Sequence, residues 1–263
     1  MNGAGDRLSP LALARAAWLD LARDFALFAR LAAPPFAWAV AIAIALPEFA
    51  RAAPYSWLLL LWPMLAGVTL VLLMPTATAW HRLVLLGRDD PHARLRYAFG
   101  REEWLYFRQT AGLLALMLLI GGACGVLLAF GAFLTGNLET ISDPEISRGV
   151  IQPAVVLIAL ALVAPRFLGL PAAAAGRPIA REALRAAARH AHLPIVLALL
   201  IAYVPYAVAE RIANAALQAF PRAASLVVEA LKMLAIGASL GVLSHAHLRL
   251  FGADGAGRPG EPR

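Results

Sequence analysis

A single cysteine among 263 residues excludes a disulfide framework within the chain, and Cys124 lies in an apolar run that reveals nothing of the redox compartment. Charge is also scarce. Asp, Glu, Lys and Arg make up 15% of the sequence, against about 25% in an ordinary soluble domain. Several chemical signatures are missing altogether. The chain has no phosphate-binding loop, no His-Glu-x-x-His zinc helix, no dinucleotide fingerprint and no Gly-x-Ser-x-Gly elbow. The N-terminus lacks the basic, apolar and small-residue layout of a cleaved signal peptide, so the whole chain is read as mature protein. Few polar residues lie within the apolar runs, Gln152 and Asn214 near their outer ends among them. That scarcity argues against a wide aqueous channel.

What the chain does have is apolar length. Hydrophobic residues account for 61% of it, and the mean hydropathy is +0.72. The organising stretch runs from Tyr55 to Trp80, 26 residues without a charge. As a helix it is about 39 Å long, enough to cross a hydrocarbon core of about 30 Å. This predicts a membrane span with Trp57, Trp62 and Trp80 at headgroup level and the following His81 and Arg82 on the cytoplasmic side.

The rest of the chain sorts around that span. From Ser9 to Leu31 a stripe of Leu11, Ala14, Trp18, Leu21, Phe25 and Phe28 recurs every three or four residues, with Arg15, Asp20, Arg23, Asp24 and Arg30 largely off it. This is the pattern of an interfacial amphipathic helix. A first span follows over Leu31 to Leu46, with Pro34 and Pro35 in its opening turn. The segment around Trp104 and Arg108 predicts a second interfacial helix. Spans are expected at Thr110 to Leu138, Val150 to Ala164, Leu193 to Ala209 and Ala224 to His247. Pro171 and Gly176 break the chain before a third amphipathic helix, IAREALRAAARHA. The tail, residues 252–263, reads as disordered. The expected fold class is therefore all-α: a polytopic membrane protein over residues 1–251, with six transmembrane helices in three hairpins and cytoplasmic interfacial helices.

Arginine placement sets the expected orientation. Four basic residues precede Leu31, six lie from Arg82 to Arg108, five from Arg166 to Arg189 and three from Arg249 onward. The opposite turns hold only Arg51, Arg148, Arg211 and Arg222, and Lys232 lies within the sixth span. The positive-inside rule then predicts both termini on the cytoplasmic side of the cell inner membrane. The formal charge of +7 is dispersed between apolar runs. That favours membrane lipids over nucleic acid as partner.

The same pass suggests an internal repeat. Its units, residues 9–87, 92–169 and 178–252, close on HRLVLLG, PRFLG and LRLFG. The arginines in those phrases, Arg82, Arg166 and Arg249, are 84 and 83 residues apart. Three parallel hairpins would produce this spacing.

The phrases AWHRLVLLG, RFLGLPAAAAGRPIAREALRAAARH and HAHLRLFG resemble a bacterial group of six-span inner-membrane proteins. That group includes the membrane domain attached to some glycerophosphodiester phosphodiesterases, and families of unknown function. The resemblance covers about Leu11 to Gly252. It implies a multi-span membrane domain without chemistry of its own. The phosphodiesterase activity belongs to a separate soluble barrel for which this chain has no room.

Arg82, Arg166 and Arg249 are candidates for contact with lipid headgroups or an acidic partner, or serve only as topological anchors. Glu229 and Lys232, three residues apart in the sixth span, share a helix face and can pair, marking either a solute pathway or a structural ion pair. All six histidines fall on the predicted cytoplasmic side, but His-x-His spacing points rings about 200° apart on a helix, so no metal site is expected. Glu102 and Glu103 diverge by about 100° and are read as balancing nearby arginines. Gly121-x-x-x-Gly125 and Gly237-x-x-x-Gly241 permit close helix packing, in the bundle or at a dimer seam. The resulting reading is a non-enzymatic integral membrane protein without cofactor or metal. Its basic face binds anionic lipid or a protein partner, which a second copy of the chain would also satisfy. Transport of a small solute or lipid is the alternative.

Overall fold

The computed structural model describes residues 8–52, 55–90, 95–136, 143, 146–176, 179 and 181–252. The expected disordered tail beyond Gly252, most of the acidic loop before Arg148, the first residues of the second and third repeats, His92 and the side chain of His190 lie outside them. Among the described residues every regular element is helical. Five helical segments are long and apolar enough to cross a membrane: Phe25–Phe49, Leu61–Leu86, Arg101–Thr135, Ala191–Ala216 and Pro221–Phe251.

Helix α1 (Pro10–Arg23) starts where Ser9 Oγ accepts the Ala12 N–H and Pro10 occupies the first turn, and it ends at Asp24. Its buried stripe is Leu13, Ala14, Ala17 and Leu21. The stripe drawn from sequence is thus rotated, since Leu11 and Phe25 are 65% and 53% exposed. The cause is polar: Asp24 is buried and Asp20 half-buried because both find cationic or imidazole partners in the bundle. Hydrophobic periodicity does not see such partners. The inward face packs on the protein itself, against the last two long helices.

Helix α2 (Phe25–Ala52) runs straight through Pro34, Pro35 and Pro47, so the proline pair lies inside a helix rather than at its first turn. Proline removes the N–H that would bond the carbonyl four residues back. For Pro35 that carbonyl belongs to Leu31, and Thr76 Oγ1 donates to it instead, at 2.6 Å. Helix α3 (Tyr55–Leu86) carries Thr76, and its Trp80 is wholly buried, edge-on to Phe28 with ring centres 5.0 Å apart. Trp57 and Trp62 are exposed, whereas Trp80, expected at headgroup level, belongs to the core.

The segments expected as the second interfacial helix and the third span are one helix, α4 (Arg101–Thr135), about 52 Å long. Nothing between Gln109 and Gly112 stops a helix when the chain turns from polar to apolar. Gly136, in the left-handed region at φ 70°, ends it. A π-helical turn (Ser147–Ile151) leads into α5 (Gln152–Phe167), apolar but only 16 residues long. A short helix α6 (Gly169–Ala174), expected as a chain break, is buried from Leu170 to Ala174 and wedges beside α3 and α4. The segments expected as the third amphipathic helix and the fifth span are again continuous as α7 (Arg181–Ala216). Pro165 of α5 frees the Ala161 carbonyl, and His192 of α7 bonds it.

Helix α8 (Pro221–Phe251) is the hub, packed against α1, α2, α3, α6 and α7. Its glycines make this possible. A Cβ on Gly237 would lie 2.6 Å from Phe28 Cζ, and one on Gly241 2.9 Å from Ala17 Cβ. The Gly237-x-x-x-Gly241 face therefore packs inside the bundle. Gly121 faces Val155, while Gly125 meets nothing within 4 Å.

Candidate functional site

The starts of α2, α4 and α7 and the ends of α3, α5 and α8 converge at one end of the bundle. The contacts that define this end are polar. Arg82, near the end of α3, has a side chain 4% exposed and donates from each of its three nitrogens: Nη1 to Glu103 Oε1 at 2.8 Å, Nη2 to Glu102 Oε2 at 2.8 Å and Nε to the Ala174 carbonyl at 2.7 Å. Glu102 and Glu103 belong to the first turn of α4, where the helix dipole favours negative charge. A guanidinium fork is wide enough to take one oxygen from each, although the two side chains diverge. Thr78 Oγ1 lies 3.4 Å from Glu103 Oε1, with the Met74 carbonyl a nearer acceptor for its proton at 2.9 Å. A buried charge is tolerable only when paired and hydrogen-bonded, and this one is.

Beside it lies a second buried chain. Ser244 Oγ donates to the Leu240 carbonyl at 3.0 Å, so it accepts from His81 Nδ1 at 2.7 Å, and His81 Nε2 is left to accept from the Tyr106 hydroxyl at 3.0 Å. A neutral Nδ1–H imidazole satisfies every bond. The two histidines of α8 part as their spacing requires: His245 meets Asp20 Oδ2 at 2.7 Å and His247 donates to the Leu168 carbonyl at 3.2 Å. Asp24 accepts from Arg88 at 2.7 Å and from Arg23 at 2.9 Å. The Asp24 hydrogen bond, with the charges of Asp20 and Asp24, holds Arg23 above the ordinary arginine pKa. Among the described residues no three metal-ligating side chains come together.

Arg82, Arg166 and Arg249 thus occupy unlike places. Arg82 is sealed in an ionic node, whereas Arg166 and Arg249 are exposed. Arg82 is therefore removed from any surface ring of arginines, because two carboxylates and a helix-terminal carbonyl already claim it. Of the phrases expected to close the repeats, PRFLG is reached at Leu168 by His247, one residue ahead of LRLFG, while Arg82 of HRLVLLG bonds Ala174 outside them. Sequence reasoning missed Ser244, Tyr106, Thr78 and Asp24 as members. The available signal was a polar residue set inside an apolar run.

Glu229 and Lys232 pair at 2.6 Å, with side chains 15% and 44% exposed. They sit where two cavities meet, toward the end opposite the node. One, of about 530 Å³, is apolar and walled by α2 and α3, from Pro47 and Trp62 to Leu73. The other, of about 480 Å³, is lined by Glu210, Asn214, Gln218 and Ser225 at the α7–α8 turn.

Comparison with protein-family models, with curated proteins and with solved structures returns no match.

Proposed function

We propose that this chain is a non-enzymatic protein of the cell inner membrane whose arginine-rich end faces the cytoplasm and binds anionic lipid headgroups. In this reading α5, lengthened by the π-helical turn before it, is the fourth of six spans, and both termini are cytoplasmic. The observation that carries the proposal is the arrangement of charge at one end. The interior charges are locked in the Arg82 and Asp24 clusters, while Arg15, Arg96, Arg101, Arg108, Arg166 and Arg185 are exposed. Each exposed arginine near an anionic surface adds about 1 kcal/mol. A rigid base with a basic rim suits headgroups arrayed in a plane. The kinship with membrane domains attached to phosphodiesterases is part of the same proposal and is compatible with a role that holds or recruits rather than reacts.

The test is retention of phosphatidylglycerol against phosphatidylcholine by the purified chain in mild detergent, read by native mass spectrometry. Preference for the anionic lipid should fall when Arg96, Arg101 and Arg108 are changed together to Gln, and fall with salt. An unchanged preference would sink the reading, and a stoichiometric acidic protein retained in place of lipid would transfer it to a protein partner. A second reading, transport of a small solute or lipid, draws on the cavities at Glu229 and Lys232. It requires that neutralising both residues abolish flux while insertion stays normal.

A further inference from the structure

We propose that the two cavities meeting at Glu229 and Lys232 form one binding site for a zwitterionic phospholipid. Its acyl chain lies in the apolar cavity and its phosphate and ammonium in the polar one. The inference assumes that the chain spans a membrane but holds whether or not anything is transported, and it concerns the end opposite the arginine-rich rim.

Three observations carry it. Ala43, Glu229 and Lys232 line both cavities, so the spaces adjoin. A methyl group is all that α2 places in the wall they share. The apolar cavity extends along α3 from Trp62 to Leu73, about 16 Å at the helical rise. That is about half of a 30 Å hydrocarbon core, the depth of one leaflet.

The charges then select the headgroup. Glu210 and Glu229 face one Lys232 in the polar cavity, an excess of negative charge that disfavours an anionic lipid. An ammonium has three donors, and the Glu229 bond uses one, leaving Lys232 able to meet a phosphate oxygen. The lipid's own ammonium has Glu229 and Glu210 to meet.

The experiment uses the full chain in mild detergent, with bound lipids counted by native mass spectrometry during titration with phosphatidylethanolamine or phosphatidylglycerol of the same acyl chains. The expected result is one phosphatidylethanolamine whose apparent affinity drops about tenfold or more in Glu229→Gln/Lys232→Met and in Ala43→Trp. Phosphatidylglycerol binding should be unchanged in both. The double variant removes both charges and leaves no unpaired ion, so it keeps the test valid if Ala43→Trp lowers the melting temperature. Wild-type affinity for phosphatidylethanolamine in the double variant would overturn the proposal. So would displacement of the bound lipid by millimolar soluble phosphoethanolamine, which would assign the site to a water-soluble solute.

Discussion

Arg82 Nη1 lies 2.8 Å from Glu103 Oε1, with the two side chains only 4% and 8% exposed. A charge from the last turns of α3 is thereby tied to the first turn of α4, where an exposed pair would be worth little and a buried one is costly to break. The contact joins α3 to α4 beside the bond between His81 and Tyr106.

Removing one partner of that pair should therefore be far worse than removing both. Arg82→Met should destabilise the protein by about 3 to 5 kcal/mol, because Glu103 is left buried and unpaired. The triple variant Arg82→Met/Glu102→Gln/Glu103→Gln should recover much of the loss. Thermal unfolding in detergent measures both. Equal losses in the two variants would show that the site is not governed by charge pairing.

Thr76 acts on a different backbone. Thr76→Val should cost about 1 to 3 kcal/mol by leaving the Leu31 carbonyl without a donor. Pro35→Ala restores the missing N–H and should offset that loss in the double variant. If the two effects simply add, the hydroxyl is not serving the carbonyl that Pro35 frees.

The glycines separate cleanly by surroundings. Gly237→Ala should destabilise by about 1 to 3 kcal/mol, since its methyl would meet the Phe28 ring. Gly125→Ala has open space in the monomer and should be neutral in melting temperature. A large loss at Gly125 with a change in oligomeric mass would instead reveal a seam between copies of the chain.

Orientation can be read by chemistry in cells. In a Cys124→Ala background, Arg185→Cys should resist a membrane-impermeant thiol reagent applied to intact cells, and Arg222→Cys should react. The reverse pattern would invert the membrane arrangement and remove the basis for a cytoplasmic rim.

Legibility in the sequence differed from one feature to another. Long uncharged runs identified helices α2, α3, α4, α7 and α8, because burial in hydrocarbon leaves few other ways to satisfy a backbone. The Glu229–Lys232 pair was legible from a spacing of three. Boundaries were less so: the interfacial segments near Trp104 and Arg185 merge into α4 and α7, since a change of polarity does not end a helix. Trp80 looked like an anchor and is core, and Arg82 looked like a surface charge and is buried. Each depends on a partner distant in sequence, Phe28 for one and Glu103 for the other.

The linear order of residues was enough to foretell a helical chain with helices long and apolar enough to cross a membrane, because apolar length and the scarcity of charge act locally and need no partner. Which arginine is sealed and which is exposed, and that a proline on one helix is matched by a hydroxyl or imidazole on the next, was decided only by tertiary structure. Ion pairs and donated hydrogen bonds are properties of two groups brought within about 3 Å. No periodicity in a single chain encodes which two will meet.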